Sequence, residues 1–427
     1  MIRPIFLVVV LAVVLASVLT QANTTSGPPQ TASPNGEQVN PNSIALKNVT
    51  ELAAANTVFA IDLYDALPEE GNLFFSPLSI YTALAMISAG AHGDTLAQME
   101  ETIHFPFSQE QLHTVFYALN WVLERRQYLP EGRGEGFTLN LVNSIWAQEG
   151  YRFLTDFLDV LAGSYGTEVH PADFAADPDA VRDTINLWVE EATHDRIVDL
   201  IPGGAITEET LLALVNAIYF NAPWAFPFDK RDTAPGPFTL LDGTEVEVPL
   251  MHETEVLGYA KGDQYQAVEL DYNGNNLSMV VILPKPGAFE AVKASFSPAF
   301  ISQVIGDLSR EHVILTLPKF TVEWTGLLND ALASLGMPDA FNSSVADFSG
   351  IDGRRVFFIG AVIHKAFISV DEAGTEAAAA TAVVMAGAAP GFQPTYYEVN
   401  VDRPFLFFIR DKETQAILFL GRVLYPS

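Results

Sequence analysis

A run of small residues lies between two strand-like segments, and it restricts the folds open to this chain more than any other feature. Residues 371–385 read DEAGTEAAAATAVVM, with one glycine, four consecutive alanines and no aromatic residue. Four alanines alone favour a helix, because alanine is the best helix former. Thr381, Val383 and Val384 instead favour extended chain, and Gly374 is a hinge that accepts either sign of φ. The residues therefore fit either a short helix or a loop that can become a strand.

As a strand, this segment would present only small side chains on one face. Alternate residues of a strand share a face, and that face would carry Thr375, Ala377, Ala379 and Thr381. All four are small enough to slide between two existing strands above a packed core, whereas Glu376 and Ala378 would face solvent. Extended from Thr375 to Ala388, the strand would reach roughly 45 Å at about 3.3 Å per residue.

Periodicity and punctuation elsewhere predict interspersed helices and strands. Ser76 and Pro77 suit the start of a buried helix, because serine is a good N-cap and proline fits the first turn. Helices are also predicted at 52–67, 180–193 and 327–335, and strands at 140–147, 211–220, 356–370, 404–409 and 417–423. Asp242-Gly243 and Asn273-Gly274 are hairpin signals. Strict alternation of strands and helices is absent, which predicts an α+β protein with mostly antiparallel sheets.

Several motifs resemble those of the serpin family in type and in order. They are residues 372–382 (EAGTEAAAATA), 214–220 (LVNAIYF), 317–320 (LPKF), 346–350 (ADFSG), 364–366 (HKA) and 403–407 (RPFLF). The resemblance covers about Ile44 to Pro426 and concerns the inhibitory type. It implies the serpin fold, one domain with three mostly antiparallel β-sheets, eight or nine helices and an exposed reactive-centre loop. We therefore predict a serpin domain over 44–427.

The N-terminal residues predict export. Met1–Ala22 contains one arginine and an apolar run from Ile5 to Leu19, as in a secretory signal peptide. Residues 23–43 are rich in Thr, Ser, Pro, Gly, Gln and Asn and predict a disordered linker. We expect a secreted protein, extracellular or periplasmic, without membrane association after cleavage. The alternative is a membrane anchor left uncleaved, but the apolar run is shorter than the roughly 20 residues a span prefers.

Composition and motifs argue against an enzyme and against several classes of partner. The formal net charge is −30, with 22 Lys+Arg against 52 Asp+Glu, so nucleic acid and heparin-type cofactors are not expected. The chain has no cysteine, which excludes thiol catalysis. His252-Glu253 lacks the second histidine of a zinc protease helix. We predict no catalytic residue, no metal site and no cofactor.

The resemblance also implies roles for residues outside the loop. Four polar residues match the family's cluster beneath the central sheet, where two strands part to admit the loop; they are Ser76, Ser79, Asn216 and His364. Trp224 and Lys319 match positions at the top of that opening, and Lys319 matches the partner of Glu372 in an ion pair at the base of the loop. If exposed, such a pair adds only about 0–1 kcal/mol. The implied hinge comprises Glu372, Gly374, Thr375, Glu376, Ala377, Ala378, Ala379, Ala380 and Thr381.

The implied reactive bond is located by counting. In the inhibitory family it follows the sixteenth residue after the hinge glutamate, which places it between Ala388 and Ala389. The stretch from Ala389 to Pro404 is several residues longer than in well-known vertebrate members. Bonds within the run Met385, Ala386 and Gly387 therefore stay as alternatives.

The resemblance implies a suicide-substrate inhibitor. The target serine protease would be trapped as an acyl-enzyme when the cleaved loop inserts into the central sheet. Residues 373–401 contain no Lys, Arg or Asp, so an elastase-like or subtilisin-like target is expected in place of a trypsin-like protease or a caspase. We expect a monomer that forms a covalent complex with the protease. The alternative function is that of a non-inhibitory serpin acting as carrier, chaperone or storage protein.

Overall fold

The computed structural model describes Ile44 and residues 46–128, 137–193, 195–375 and 395–426, without the side chains of Asn140 and Leu141. The predicted signal peptide and linker lie outside the described residues. The described ranges contain ten α-helical segments: α1 (Leu46–Ala66), α2 (Pro77–Ser88), α3 (Gly93–Thr102), α4 (Gln109–Arg126), α5 (Thr155–Val160), α6 (Pro178–Ala192), α7 (Phe289–Ser295), α8 (Pro298–Asp307), α9 (Asn329–Leu335) and α10 (Ser349–Asp352). A π-helical turn, Leu161–Tyr165, continues α5.

The strands are β1 (Leu73–Phe75), β2 (Thr138–Gln148), β3 (Val169–Ala172), β4 (Leu212–Pro223), β5 (Ala234–Thr239), β6 (Glu245–Lys261), β7 (Tyr265–Asp271), β8 (Leu277–Pro284), β9 (Ser309–Pro318), β10 (Phe320–Leu327), β11 (Ala361–Val370), β12 (Gly374–Thr375), β13 (Tyr396–Asn400), β14 (Phe405–Asp411) and β15 (Ile417–Val423). Helices and strands are interspersed along the chain, so the predicted α+β class is confirmed. The predicted helix starting at Leu327 begins two residues later, because Leu327 still pairs with Ile363 as the last residue of β10.

The central sheet has the strand order β10-β11-β12-β4-β2-β3. Its two middle strands, β4 and β11, run parallel and pair directly from Ala213 opposite Ala361 to Tyr219 opposite Phe367. The two-residue strand β12 enters between them only at one end, where it is antiparallel to both. The sheet is therefore closed along most of its middle and open to a further strand at that end.

The second sheet has the order β1-β15-β14-β8-β7-β6-β9-β13, with β5 beside the start of β6. Three sheets were predicted in all, but within the described residues the two besides the central sheet form one, because the 17-residue strand β6 pairs successively with different neighbours and so joins them. Its first residues pair with β5, its middle with β9 and its last four with β7. The strand β13 lies at the end of this order and pairs in parallel with β9.

Two apolar clusters fix the faces of the central sheet. On the inner face, Leu214, Ile218 and Val362 join the main core together with the fully buried helix α2. On the outer face, Val215 and other residues pack in a separate cluster with Ile185 and its neighbours of α6. The central sheet thus separates a buried helix beneath it from a surface helix above it.

Candidate functional site

The start of α2 lies directly beneath the central sheet. Ser76 adopts extended backbone before Pro77, and its hydroxyl oxygen accepts a hydrogen bond from Ser79 N at 3.1 Å, as an N-cap should. The same hydroxyl donates to the carbonyl of Leu418 at 2.7 Å. The backbone N–H of Ser76 donates to His364 Nε2 at 3.1 Å. The cap therefore links the buried helix to both sheets.

His364 and Asn216 bridge the two middle strands of the central sheet. They are direct partners in the parallel pairing of β11 with β4. Because His364 Nε2 accepts from Ser76, the proton lies on Nδ1, which donates to Asn216 Oδ1. Burial lowers the pKa of His364 to about 3, and the hydrogen bond with Asn216 offsets only part of this shift. The imidazole is therefore neutral at physiological pH, with both nitrogens in use.

Asn143 is a member of this cluster that the sequence reasoning missed. The amide of Asn216 donates to Ser79 Oγ at 2.6 Å and to Asn143 Oδ1, and Ser79 Oγ donates to Asn143 Oδ1 at 3.2 Å. Asn143 lies opposite Asn216 across β2 and β4. The available signal was alternation: Ile145 and Ala147 of β2 belong to the main core, so Asn143 is a polar residue at an inward position.

At the open end of the sheet, Thr375 is already seated between β4 and β11. It lies opposite Val370 on one side and Ala222 on the other, with 0% of its surface exposed. Its hydroxyl is 2.8 Å from the hydroxyl of Tyr272. Gly374 precedes it at φ 155°, where an added Cβ would lie 2.2 Å from Ala222 O. Only glycine fits this close approach to β4.

Trp224 lies beneath the hinge and holds it from two sides. Its ring stacks on Tyr272 with centroids 4.6 Å apart. Its Nε1 donates to Asp371 O at 3.0 Å, and its backbone N–H donates to Ala373 O at 2.9 Å. Trp224, predicted at the top of the opening, thus contacts Asp371 and Ala373, the two neighbours of Glu372.

The ion pair of Lys319 with Glu372 is buried on the glutamate side. Lys319 Nζ lies 2.9 Å from Glu372 Oε2, and Thr233 Oγ1 donates to the other carboxylate oxygen at 2.8 Å. The side chains are 35% and 6% exposed, respectively. Burial by itself would raise the pKa of Glu372, but the hydrogen bonds from Lys319 and Thr233 outweigh it and hold that pKa below its ordinary value.

The remaining predicted loop residues lie outside the described residues. They are the hinge residues Glu376, Ala377, Ala378, Ala379, Ala380 and Thr381, the predicted reactive bond of Ala388 with Ala389, and the alternatives Met385, Ala386 and Gly387. The structure thus brings together Ser76, Ser79, Asn216 and His364 beneath the sheet. It places Trp224, Lys319 and Glu372 around Thr375 at the open end.

The polar cluster beneath the sheet lies between the central sheet and the start of α2. Its polar groups are buried and hydrogen-bonded to one another, and they line the junction of two parallel strands. Within the described ranges, no cluster of three or more His, Cys, Asp or Glu side chains could hold a metal ion. Among the described helices, none combines the length and the apolar composition needed to cross a bilayer.

Comparison with known proteins identifies the fold. Residues 54–426 match the family model described as Serpin (serine protease inhibitor). Leukocyte elastase inhibitor A of Rattus norvegicus is 38% identical over 388 residues, which cover 88% of this chain and 100% of the rat protein. Among solved structures, the thermophilic serpin tengpin in its native state has a TM-score of 0.79 at 31% identity, with 91% of this chain and 96% of tengpin covered.

A second solved structure shows that one fold carries more than one function. Human thyroxine-binding globulin in complex with its ligand superposes with a TM-score of 0.77 at 30% identity. The match covers 90% of this chain and 100% of the globulin. The predicted serpin fold is therefore confirmed. The fold alone does not distinguish a protease inhibitor from a carrier protein.

The lowered pKa of Glu372 predicts a pH-dependent contribution to stability. A carboxylate whose pKa is depressed by folding stabilises the native state above its unfolded pKa, and this stabilisation is lost as pH falls through the folded pKa. We expect Glu372→Gln to lower the free energy of unfolding by about 1 kcal/mol at pH 7, a value reduced for the partial exposure of Lys319. The deficit should close below about pH 4.5, the ordinary value for Glu.

Thermal unfolding at a fixed scan rate, measured between pH 3.5 and 7.5, tests this expectation. Glu323→Gln is a control, because Glu323 also pairs with a lysine but its side chain is 54% exposed. A deficit for Glu372→Gln that stays constant down to pH 3.5 would show that the pair does not set the stability of the hinge.

Proposed function

We propose that this chain, which belongs to the serpin family, inhibits serine proteases as a suicide substrate. The observation that carries the proposal is the position of Thr375. It already forms the first pairs of a new strand between β4 and β11, while the rest of that junction is closed. Insertion would therefore lengthen a strand that exists and would not have to start one.

The register of this first pair predicts where the following residues would lie. In antiparallel pairing, each step forward on one strand is a step back on its partner. Thr375 lies opposite Val370, so six steps place Thr381 opposite His364. On the other side Thr375 lies opposite Ala222, and the same six steps place Thr381 opposite Asn216.

Thr381 would therefore enter between the two residues whose contact must break. An even number of steps also returns to the same face, and Thr375 faces Tyr272 of the main core. The hydroxyl of Thr381 would point toward His364 and Asn216 on that inner face. A hydroxyl both donates and accepts, so it can pair with an imidazole nitrogen on one side and an amide on the other.

The sheet has room for the loop up to the region of the predicted bond. From Val370, β11 continues for nine more residues to Ala361, which would lie opposite Val384. The new strand would be flanked on both sides over this length. A protease attached to Ala388 would then be carried roughly 45 Å along the sheet, at about 3.3 Å per residue.

The chemical step belongs to the protease. Its serine Oγ would bond to the carbonyl carbon of Ala388, and the bond to the nitrogen of Ala389 would break as that nitrogen takes a proton from the histidine of the protease. The new N-terminus at Ala389 stays with β13, and the acyl-enzyme leaves with the inserting strand. Hydrolysis of the acyl bond competes with insertion. Inhibition results when insertion distorts the protease before water completes the reaction.

The loop composition supports a protease with a small apolar specificity pocket. Residues 373–401 contain no Lys, Arg or Asp. None of the residues around Ala388 could therefore fill a specificity pocket that requires a basic side chain or an aspartate. The similar rat protein is named for the inhibition of leukocyte elastase. We infer an elastase-like or subtilisin-like target. The bond of Ala388 with Ala389 stays the first choice, and the run Met385, Ala386 and Gly387 contains the alternatives.

The hinge favours inhibition over the carrier function of a protein such as thyroxine-binding globulin. From Thr375 to Thr381 the residues that would enter the inner face are Thr, Ala, Ala and Thr, none of which is bulky or charged. Secretion is inferred only from Met1–Ala22, and a monomeric state before protease capture is part of the same proposal.

The proposal is tested by incubation of the protein with pancreatic elastase, subtilisin and trypsin. We expect a complex with elastase or subtilisin that survives SDS, and a released C-terminal peptide whose mass gives the cleaved bond. Cleavage of the loop should also raise the melting temperature strongly, because the loop becomes a strand of the sheet. Clean cleavage without a covalent complex and without a rise in melting temperature would leave the carrier function as the better explanation.

The buried position of Thr375 between β4 and β11 predicts that a charged residue there prevents trapping of the protease. Thr375 is already fully buried between β4 and β11 and its hydroxyl contacts Tyr272, so Thr375→Arg would either bury an unpaired guanidinium or break the first pairs of the new strand. We expect Thr375→Arg to be cleaved by the protease with at least a tenfold loss of covalent complex. Thr375→Ser, which keeps the hydroxyl, should trap as the wild type does. A wild-type yield of complex from Thr375→Arg would contradict the insertion path.

The predicted place of Thr381 can be tested with an isosteric variant that lacks the hydroxyl and with a variant that keeps it. Thr381→Val removes the hydroxyl. After insertion, His364 and Asn216 would then lack a hydrogen-bond partner at this position, which would destabilise the cleaved form by about 1–3 kcal/mol. We expect the cleaved form of Thr381→Val to melt below the cleaved wild type, whereas the uncleaved forms should melt together. Thr381→Ser should restore the cleaved form. Equal melting temperatures for the cleaved wild type, Thr381→Val and Thr381→Ser would contradict the predicted register, because the residue opposite His364 would then not be Thr381.

A further inference from the structure

A cavity of about 450 Å³ lies at the ends of strands of the second sheet, and we call it the strand-end pocket. Three segments line it: the end of the hairpin that joins β5 to β6, the turn after β8 with the first residues of α7, and the segment between β13 and β14. Sites for small molecules have volumes of about 300–1,000 Å³. The pocket is therefore large enough for a small organic ligand.

Hydrogen bonds hold the three walls of the strand-end pocket together. The backbone N–H of Thr239, in the hairpin, donates to Asp402 O at 2.7 Å. Arg403 Nε donates to Pro284 O, at the end of β8, also at 2.7 Å. The segment between β13 and β14 is thus bonded to both of the other walls. The pocket is already formed without a ligand, as sites for small molecules usually are.

The lining of the pocket suits an apolar molecule. Its apolar residues come from all three walls and are Leu240, Leu241, Pro284, Pro286, Phe289 and Pro404. Leu241 lies beside the hairpin turn and 51% of its surface is exposed, although polar and turn-forming residues are usual at such a position. An exposed leucine on an apolar cavity gains from a ligand that covers it.

Lys285 adds a positive charge to this apolar lining. Its side chain is exposed and has no ion-pair partner among the described residues. Its backbone is fixed by a turn, because its N–H donates to Gln264 O and its carbonyl accepts from Ala288 N, both at 2.8 Å. Pro286 and Gly287, with φ 75°, are the central residues expected of a type II turn. The ammonium group is therefore tethered to a rigid wall.

The other charges of the pocket are compensated within the protein. Asp402 is paired with Arg403. Glu290 lies in the first turn of α7, where the unpaired backbone N–H groups stabilise a carboxylate. Lys285 is thus the charge in the lining that an anion would complement.

We propose that the strand-end pocket binds an apolar monocarboxylate. The apolar body of the ligand lies against Leu241 and Phe289, and its carboxylate pairs with Lys285. The net charge of −30 repels anions from the surface as a whole, so the affinity has to come from this pocket. The proposal does not depend on protease inhibition, because the pocket shares no residue with the hinge or with the polar cluster beneath the central sheet.

Calorimetric titration of the whole protein with decanoate tests the proposal, with decan-1-ol as an uncharged probe of the same chain length. We expect saturable binding of decanoate at a single site. Lys285→Gln should weaken decanoate binding about tenfold, because the charge-assisted hydrogen bond is lost, and should leave the binding of decan-1-ol unchanged. Leu241→Asn should weaken the binding of both probes about threefold, because apolar contact is lost at the rim.

Lys261→Gln is the matched control, because Lys261 is an exposed lysine at the end of β6 and does not line the pocket. It should bind decanoate as the wild type does. Without ligand, all three variants should melt with the wild type, since the replaced side chains are exposed. The proposal is overturned if the wild type shows no saturable binding, if Lys285→Gln keeps the wild-type affinity for decanoate, or if Lys261→Gln loses as much affinity as Lys285→Gln.

Discussion

The hydrogen bond of His364 with Asn216 joins two strands that the proposed insertion of the loop would have to separate. Neighbouring strands lie about 4.8 Å apart, and one inserted strand doubles that spacing, so the bond cannot persist after insertion. Both residues are buried, and buried polar groups need partners. The proposed insertion would therefore require the cluster to be satisfied in two arrangements. Ser76 and Asn143 supply fixed partners on either side, which leaves a single contact to exchange.

This constraint explains why the polar residues are neutral. The imidazole of His364 is held uncharged by burial, which lowers its pKa to about 3. A buried charge at the junction would cost several kcal/mol to expose to an apolar strand of alanines. Neutral donors and acceptors can instead exchange partners one at a time. The charged pair, Lys319 with Glu372, lies at the open end of the sheet, where it fixes the hinge and does not obstruct the junction.

Local chemistry made part of this site predictable from the sequence. Ser76 followed by Pro77 defines a helix start, and His364 is a polar residue within an apolar strand pattern. Asn143 was equally visible as an inward polar position of β2, but its meaning depends on Asn216, more than seventy residues away in the chain. The union of two expected sheets through β6 could not be predicted, because it depends on which neighbours a long strand meets. Burial of Glu372 likewise depends on Thr233, a contact across 139 residues.

The loop is attached to the protein in two different ways. Its N-terminal end begins a strand between β4 and β11, whereas its C-terminal end continues into β13, which is paired with β9. In the proposed mechanism, cleavage would let the first end move and leave the second in place. A protease acylated on the N-terminal side would therefore be pulled away from β13 as insertion proceeds.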